Sequence, residues 1–294
     1  MKNLIIILSI LFSSVAVAQK HNIVNASIAL RNAQKAKGEE IGSLLKEAKE
    51  YIDEAYNNES TSNEAKMWNY RAPIYLEIAL KKPELDEDAI IKATDAHLKC
   101  LQKGKKDRII VRKWTSKEDI LAGLIQCGYK LFNLGIDTYN EGDYRKSLTY
   151  YEKIFAIVPF DEEDQLKRGN ITKETILYNS YFSSNKLKDD SKSKELLQKL
   201  IDINFNEPAI YIHMSDIFKR EDNIEKTIEY LNLGRDMFED DQSLINTEIN
   251  LYIELGRTSE LVSKLGEAIN LDPENSLLYF NRGTIYDQEG QLEN

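Results

Sequence analysis

His97 and Cys100 stand three residues apart, which puts them on one face of any helix that carries them, and Cys127 could approach that face. Imidazole and thiolate together are zinc-ligand chemistry. Both residues also occupy positions where the packing pattern traced below wants a filler, so core packing is the stronger expectation. Export, argued below, would also permit a Cys100–Cys127 disulfide; two buried reduced thiols are the preferred reading. His21 and His213 lie far from His97 along the chain. No phosphate-cradling glycine loop, nucleophile elbow or paired-histidine metalloprotease helix occurs. The acidic runs Asp161-Glu162-Glu163-Asp164 and Glu239-Asp240-Asp241 lack the glycine-turned, alternating ligand spacing of a calcium loop, and read as solvated turns. The chemistry left is recognition, with no enzyme activity and no cofactor expected.

What could be recognised is bounded by charge. The 294 residues carry a formal net charge of −10, which excludes nucleic acid as the expected partner, since phosphate binding needs clustered Lys and Arg. One stretch departs from this balance. Lys103, Lys105, Lys106, Arg108, Arg112 and Lys113 face a single acid, Asp107, with Ile109-Ile110-Val111 and Trp114 among them. Arg108, Arg112, Lys113 and Trp114 are accordingly a candidate binding patch, against the plainer reading of a loop whose apolar residues tuck onto the fold. Thr115-x-x-Glu118 offers a capping box for a following long helix, from about Ser116 to Glu141.

The first 18 residues have the form of an export signal. Lys2 is followed by the apolar run Leu4–Val15, and Ala16-Val17-Ala18 provides small residues at a cleavage point before Gln19. The apolar run falls short of the roughly 20 residues that span a bilayer, so no transmembrane segment is expected in the mature chain. The protein is expected to be exported, to the periplasm or outside the cell.

The elements that would position a binding surface repeat along the chain. Residues 128–161 read as helix, turn, helix and stop, with Leu134-Gly135, Glu141-Gly142-Asp143-Tyr144, Tyr150-Tyr151 and Pro159. Gly256 and Gly290 lie 34 residues apart, as do Tyr252 and Tyr286, and Pro273 closes its segment as Pro159 does. Small residues recur where two helices must cross closely: Ala72, Gly135, Ser215 and Gly283 on first helices, and Ala48, Ala93, Ser147, Ser193 and Thr227 on second ones. Large residues stand one turn beyond the latter, at Ile52, His97, Tyr151, Leu197 and Leu231.

This pattern resembles the tetratricopeptide repeat family over nearly all of the mature length, strongly in the second half and in degenerate form near the N-terminus. The signal segment and the Lys-, Asn- and Ile-rich composition are similar to those of exported repeat proteins of the Bacteroidota. The resemblance implies an all-α fold, a right-handed superhelical solenoid of antiparallel helix hairpins, about six of them plus an unfinished one. They are placed at 22–60, 65–103, 119–161, 174–207, 208–241 and 242–275. The organisation is then a signal peptide at 1–18, degenerate hairpins at 19–103, a basic and aliphatic insertion at 104–118, and an array at 119–294. A second, short polar insertion falls at 162–173. Ser276 to Asn294 repeats the first half of a further unit, so the natural protein is expected to continue.

The family's concave groove, carried onto this sequence, gives Lys66 and Asn69, then Tyr129, Phe132, Tyr139 and Asn140, then Tyr178 and Phe182. Ile212, Asp216 and Lys219 follow, then Asn246 and Asn250, then Phe280. The lysine–asparagine pairs with which chaperone-binding members clamp a terminal carboxylate are missing: the equivalent positions include Phe132/Ile136 and Tyr178/Phe182. The expectation is a non-enzymatic scaffold of the cell envelope that takes a protein or peptide partner in an aromatic groove. The alternatives are a module for glycans or peptidoglycan fragments, or the scaffold part of a larger protein with an effector domain beyond residue 294. In each case the aromatics could instead pack between repeats or under an insertion.

Overall fold

A computed structural model describes residues 21–104 and 107–288. The signal segment at 1–18, Lys105, Lys106, Gly290 and Leu292 lie outside the described residues. Those described are helical, with no strand: α1 (21–35), α2 (Glu40–Asn57), α3 (Ala65–Lys81), α4 (Ala89–Cys100), α5 (Lys117–Glu141), α6 (Tyr144–Phe155), α7 (Gln165–Arg168), α8 (Lys173–Lys186), α9 (Asp190–Asp202), α10 (Ala209–Arg220), α11 (Ile224–Met237), α12 (Gln242–Glu254), α13 (Thr258–Leu271) and α14 (Ser276–Gln288). The chain divides into two compact units, Met1–Ser183 and Ser184–Asn294, each described in its own terms.

Three of the hairpin turns, α5–α6, α8–α9 and α10–α11, are built from the same two devices. A residue in the left-handed region ends the first helix, and the next residue's side chain caps the second. Gly142 (φ 87°) closes α5 and Asp143 accepts the Lys146 amide at 3.0 Å. Lys188 (φ 57°) with Asp189 and Asp222 (φ 56°) with Asn223 do the same before α9 and α11. Gly256 (φ 63°) takes the equivalent place before α13, where Arg257 provides no side-chain cap. Lys188, Asp222 and Gly256 are spaced 34 residues apart, so the repeat visible in the sequence is a repeat of turn geometry. An αL residue turns the chain sharply and leaves the last amide free to bond back to the first helix.

Close crossing follows from the small residues. Ala48, Ala93, Ser147, Ser193 and Thr227 are all fully buried. At Gly135 a methyl group would sit 2.7 Å from the Tyr151 ring, and at Gly234 one would sit 2.8 Å from Tyr211 and Leu244. Gly283 behaves differently: a side chain there would meet no atom of the described residues. In the first unit the Ser147 hydroxyl donates to the Gly135 carbonyl at 2.8 Å and lies 3.0 Å from the Ser183 hydroxyl, which pins α6 to α5 and brings α8 against both. A polar network sits deeper in that unit. Arg71, 6% exposed, donates to Asp53 at 2.6 Å and lies over the Tyr56 and Tyr75 rings, while the Tyr75 hydroxyl donates to the same carboxylate at 2.6 Å. In the second unit buried Glu248 lies between Lys264 at 3.1 Å and Arg235 at 3.6 Å.

The helix after the basic insertion begins one residue later than the capping box predicts. Thr115 donates its hydroxyl to Asn69 at 2.6 Å, and Ser116 takes over as cap, accepting the Asp119 amide at 3.0 Å. Asn69, 8% exposed, is thereby committed to holding the insertion, which corrects its placement in a groove. The insertion itself is a tight loop: Gly104 bonds Arg108, Ile110 bonds Gln102, and Val111 is wholly buried.

Candidate functional site

The first helix of the third hairpin, α5, and the first helix of the next, α8, face an open pocket of about 390 Å³ lined by Ile136, Tyr139, Tyr151, Asn179 and Phe182. Heptad-like spacing produces it: Phe132, Ile136 and Tyr139 recur at four and three residues along α5, and Tyr178 and Phe182 at four along α8, so each set forms a stripe. The rings brace one another. Phe132 meets Tyr151 edge-on with centroids 6.0 Å apart, Tyr139 meets Tyr144 at 5.2 Å, and Tyr178 meets Phe182 at 4.6 Å. Such edge and tilted contacts suit the ring quadrupoles and make the wall rigid. Burial pushes the Tyr151 hydroxyl up to about 12, against a hydrogen bond with Ser147 that lowers it, so this wall carries no charge at neutral pH. Besides the Tyr139 and Tyr151 hydroxyls, the pocket lining carries half-buried Asn179, whose side-chain amide has no hydrogen-bond partner among the described residues.

The sequence-predicted residues thus separate. Tyr139 and Phe182 line the pocket, and Phe132 and Tyr178 stand behind them. Tyr129 goes elsewhere: its hydroxyl donates to the Gln165 carbonyl at 2.5 Å and its ring lies against Gly169, so the short insertion with α7 covers part of it. Asn140 is exposed at the end of α5. In the second unit Lys219 pairs with Glu254, Asn246 and Asn250 are exposed one turn apart on α12, and Phe280 is 69% exposed on α14. Ile136, Tyr151 and Asn179 were missed as lining residues. Ile136 shares a face of α5 with Phe132 and Tyr139, and Asn179 follows Tyr178 on α8; Tyr151 reaches the pocket because Gly135 leaves room for its ring.

The basic patch separates as well. Arg108 and Arg112 line a cleft of about 630 Å³ between the insertion and the end of α6, whereas Lys113 and Trp114, the latter 43% exposed, lie outside it.

His97 packs in the core. Because the Ala93 carbonyl at 2.8 Å can only accept, His97 Nδ1 carries the proton, and that nitrogen is 3.9 Å from the Cys127 sulfur. Burial holds His97 down to about 4, opposed by the bond to Ala93, and burial pushes both Cys100 and Cys127 up to about 12. All three are neutral filler, both cysteines are free, and no group of His, Cys, Asp and Glu among the described residues is placed to hold a metal. The acidic runs are helix caps: Asp161 accepts the amides of Gln165 and Leu166 at 2.7 and 2.9 Å, and Asp241 accepts that of Leu244 at 2.9 Å. Among the described residues no helix is long and apolar enough to cross a membrane.

Paired helices, left-handed turn residues at Lys188, Asp222 and Gly256 spaced 34 positions apart, and small residues at many of the crossings give a fold of tetratricopeptide-like helical hairpins, although Tyr181, Ile249 and Leu261 stand where the pattern has a small residue. Solved structures to which the chain is similar include YrrB, described as a TPR protein with an unusual peptide-binding site, at 13% identity over 55% of this chain and 77% of that one, with a TM-score of 0.38. A tetratricopeptide repeat protein from Parabacteroides merdae is 13% identical over 91% and 88% of the two chains, with a TM-score of 0.35. Pseudomonas aeruginosa PilF is 15% identical over 94% and 100%, also with a TM-score of 0.35. No protein-family model and no curated protein sequence matches the chain.

Proposed function

We propose that this protein is a non-enzymatic interaction scaffold that binds an extended peptide segment of a partner protein at the α5–α8 pocket. The observation that carries this reading is the Asn179 amide, without a hydrogen-bond partner among the described residues, in a pocket otherwise lined by Ile136 and the rings of Tyr139, Tyr151 and Phe182. An asparagine amide offers two donors and an acceptor, which matches the alternating N–H and C=O of an extended backbone. The pocket volume lies at the small end of ligand sites, enough for one large apolar side chain and the backbone beside it. The expected setting is the cell envelope, after export and removal of residues 1–18.

The test is fluorescence polarisation with a panel of short peptides that vary one central apolar residue. Peptides with a central aromatic or Leu should bind. Ile136→Asp should weaken them tenfold or more, and Asn179→Ala about fivefold, the effect of one net hydrogen bond. Equal binding by both variants, with helical content unchanged, would overturn the proposal.

A further inference from the structure

The cleft beside the basic insertion has a second, distinct chemistry. Its wall is apolar where Leu101 and Ile109 face Pro159 and Phe160. Around that wall lie four cations, and the structure divides them into two kinds. Lys103 is paired with Asp107 at 2.9 Å and Lys117 with Glu162 at 2.5 Å. Arg108 and Arg112 are exposed and have no acidic partner among the described residues, in a chain with ten more negative than positive charges. Arg31, Arg145 and Arg168 are likewise exposed with no acidic partner among the described residues, and what sets Arg108 and Arg112 apart is that both line one cleft. The Gly104–Arg108 and Ile110–Gln102 backbone bonds and buried Val111 fix the loop from which they project.

We propose that this cleft binds an acidic peptide segment of a partner protein, with carboxylates on Arg108 and Arg112 and an apolar side chain between them on Ile109 and Phe160. The planar guanidinium fork fits carboxylate in a two-point contact. A nucleic-acid strand fits less well. Its continuous phosphates would meet Asp107 and Glu162 at the rim, and it would leave the apolar wall without a partner. The site is separate from the α5–α8 pocket, so either proposal can fail alone.

The test uses the mature protein and a labelled peptide, Asp-Glu-Phe-Glu-Asp, read by fluorescence polarisation. Its amide counterpart Asn-Gln-Phe-Gln-Asn and a short oligothymidylate of equal charge serve as comparison probes. The acidic peptide should bind more tightly than either, and salt should weaken it. The double variant R108E/R112E should bind at least tenfold more weakly. K113E, which reverses an equally exposed charge outside the cleft, should stay within twofold of the parent, and Ile136→Asp should have no effect. Failure of the acidic peptide to bind, equal binding of the amide peptide or the oligonucleotide, or a loss in K113E as large as in R108E/R112E would each overturn the proposal.

Discussion

Gly123→Ala isolates the tightest contact between two hairpins. Gly123 lies inside α5, and a methyl group there would stand 2.2 Å from His97 Nε2 and 2.9 Å from Cδ2. Alanine is the better helix former by about 1 kcal/mol, so helix propensity alone forecasts a gain. Packing forecasts the opposite. The imidazole, 4% exposed and bonded through Nδ1 to Ala93 at 2.8 Å, has to shift. Overpacking costs about 1–3 kcal/mol, and a buried donor torn from its acceptor costs about 1–3 kcal/mol more. The net is a loss of about 2–3 kcal/mol. His97→Ala alone should cost about 2 kcal/mol through the cavity it leaves. In the double variant the new methyl enters that cavity and the helix gain returns, so the pair should be more stable than Gly123→Ala alone. A favourable coupling of at least about 2 kcal/mol is expected. Urea unfolding followed by circular dichroism measures the set, and amide exchange in α4 and α5 reports the same change locally, which matters where repeats unfold independently. Wild-type or higher stability of Gly123→Ala would refute the packing argument.

Two further outcomes are expected. The first concerns acid. His97 is held down to about 4 when folded, so the unfolded chain takes up its proton first; stability is full above about pH 6.5 and is lost as pH falls towards 4, by about 3 kcal/mol in all. Asp53 continues the loss at lower pH: burial alone would raise it, but hydrogen bonds from Tyr75, Arg71 and Lys49 outweigh burial and keep it low, so its contribution is present above about pH 4 and disappears as pH falls through its folded value. Urea titrations from pH 7 to pH 3 should show both stages, and His97→Ala should remove the first without the second. The second outcome concerns export: mass spectrometry of the protein recovered from envelope or medium should give an N-terminus at Gln19, and a recovered chain beginning at Met1 would exclude signal cleavage.

The fold was largely legible because its devices are local. Gly142-Asp143 announces a turn and a cap in adjacent residues, and Ala48, Ala93, Ser147, Ser193 and Thr227 mark crossings by size alone. The candidate pocket was legible in half. Periodicity gave the stripe of Phe132 and Tyr139, but where a ring is engaged depends on a partner far along the chain, as the Tyr129 hydroxyl is by the Gln165 carbonyl. The Arg71–Asp53–Tyr75 network was missed for the same reason, since nothing near Arg71 in sequence marks it as buried. Thr115 shows the limit at the smallest scale: the capping rule chose it, and a hydrogen bond to Asn69, 46 residues away, took it for another purpose.

Tyr151 belongs to the core and to the pocket at once, 2% exposed, seated on Gly135 and still part of the lining. Anything that fills the pocket therefore rests directly on the ring that locks α5 to α6. Occupancy at a hundred times Kd raises stability by about 2.7 kcal/mol wherever the ligand binds only the folded form. A melting-temperature screen of unlabelled compounds or peptides, with Ile136→Asp run in parallel as the blank, would then find ligands for this pocket.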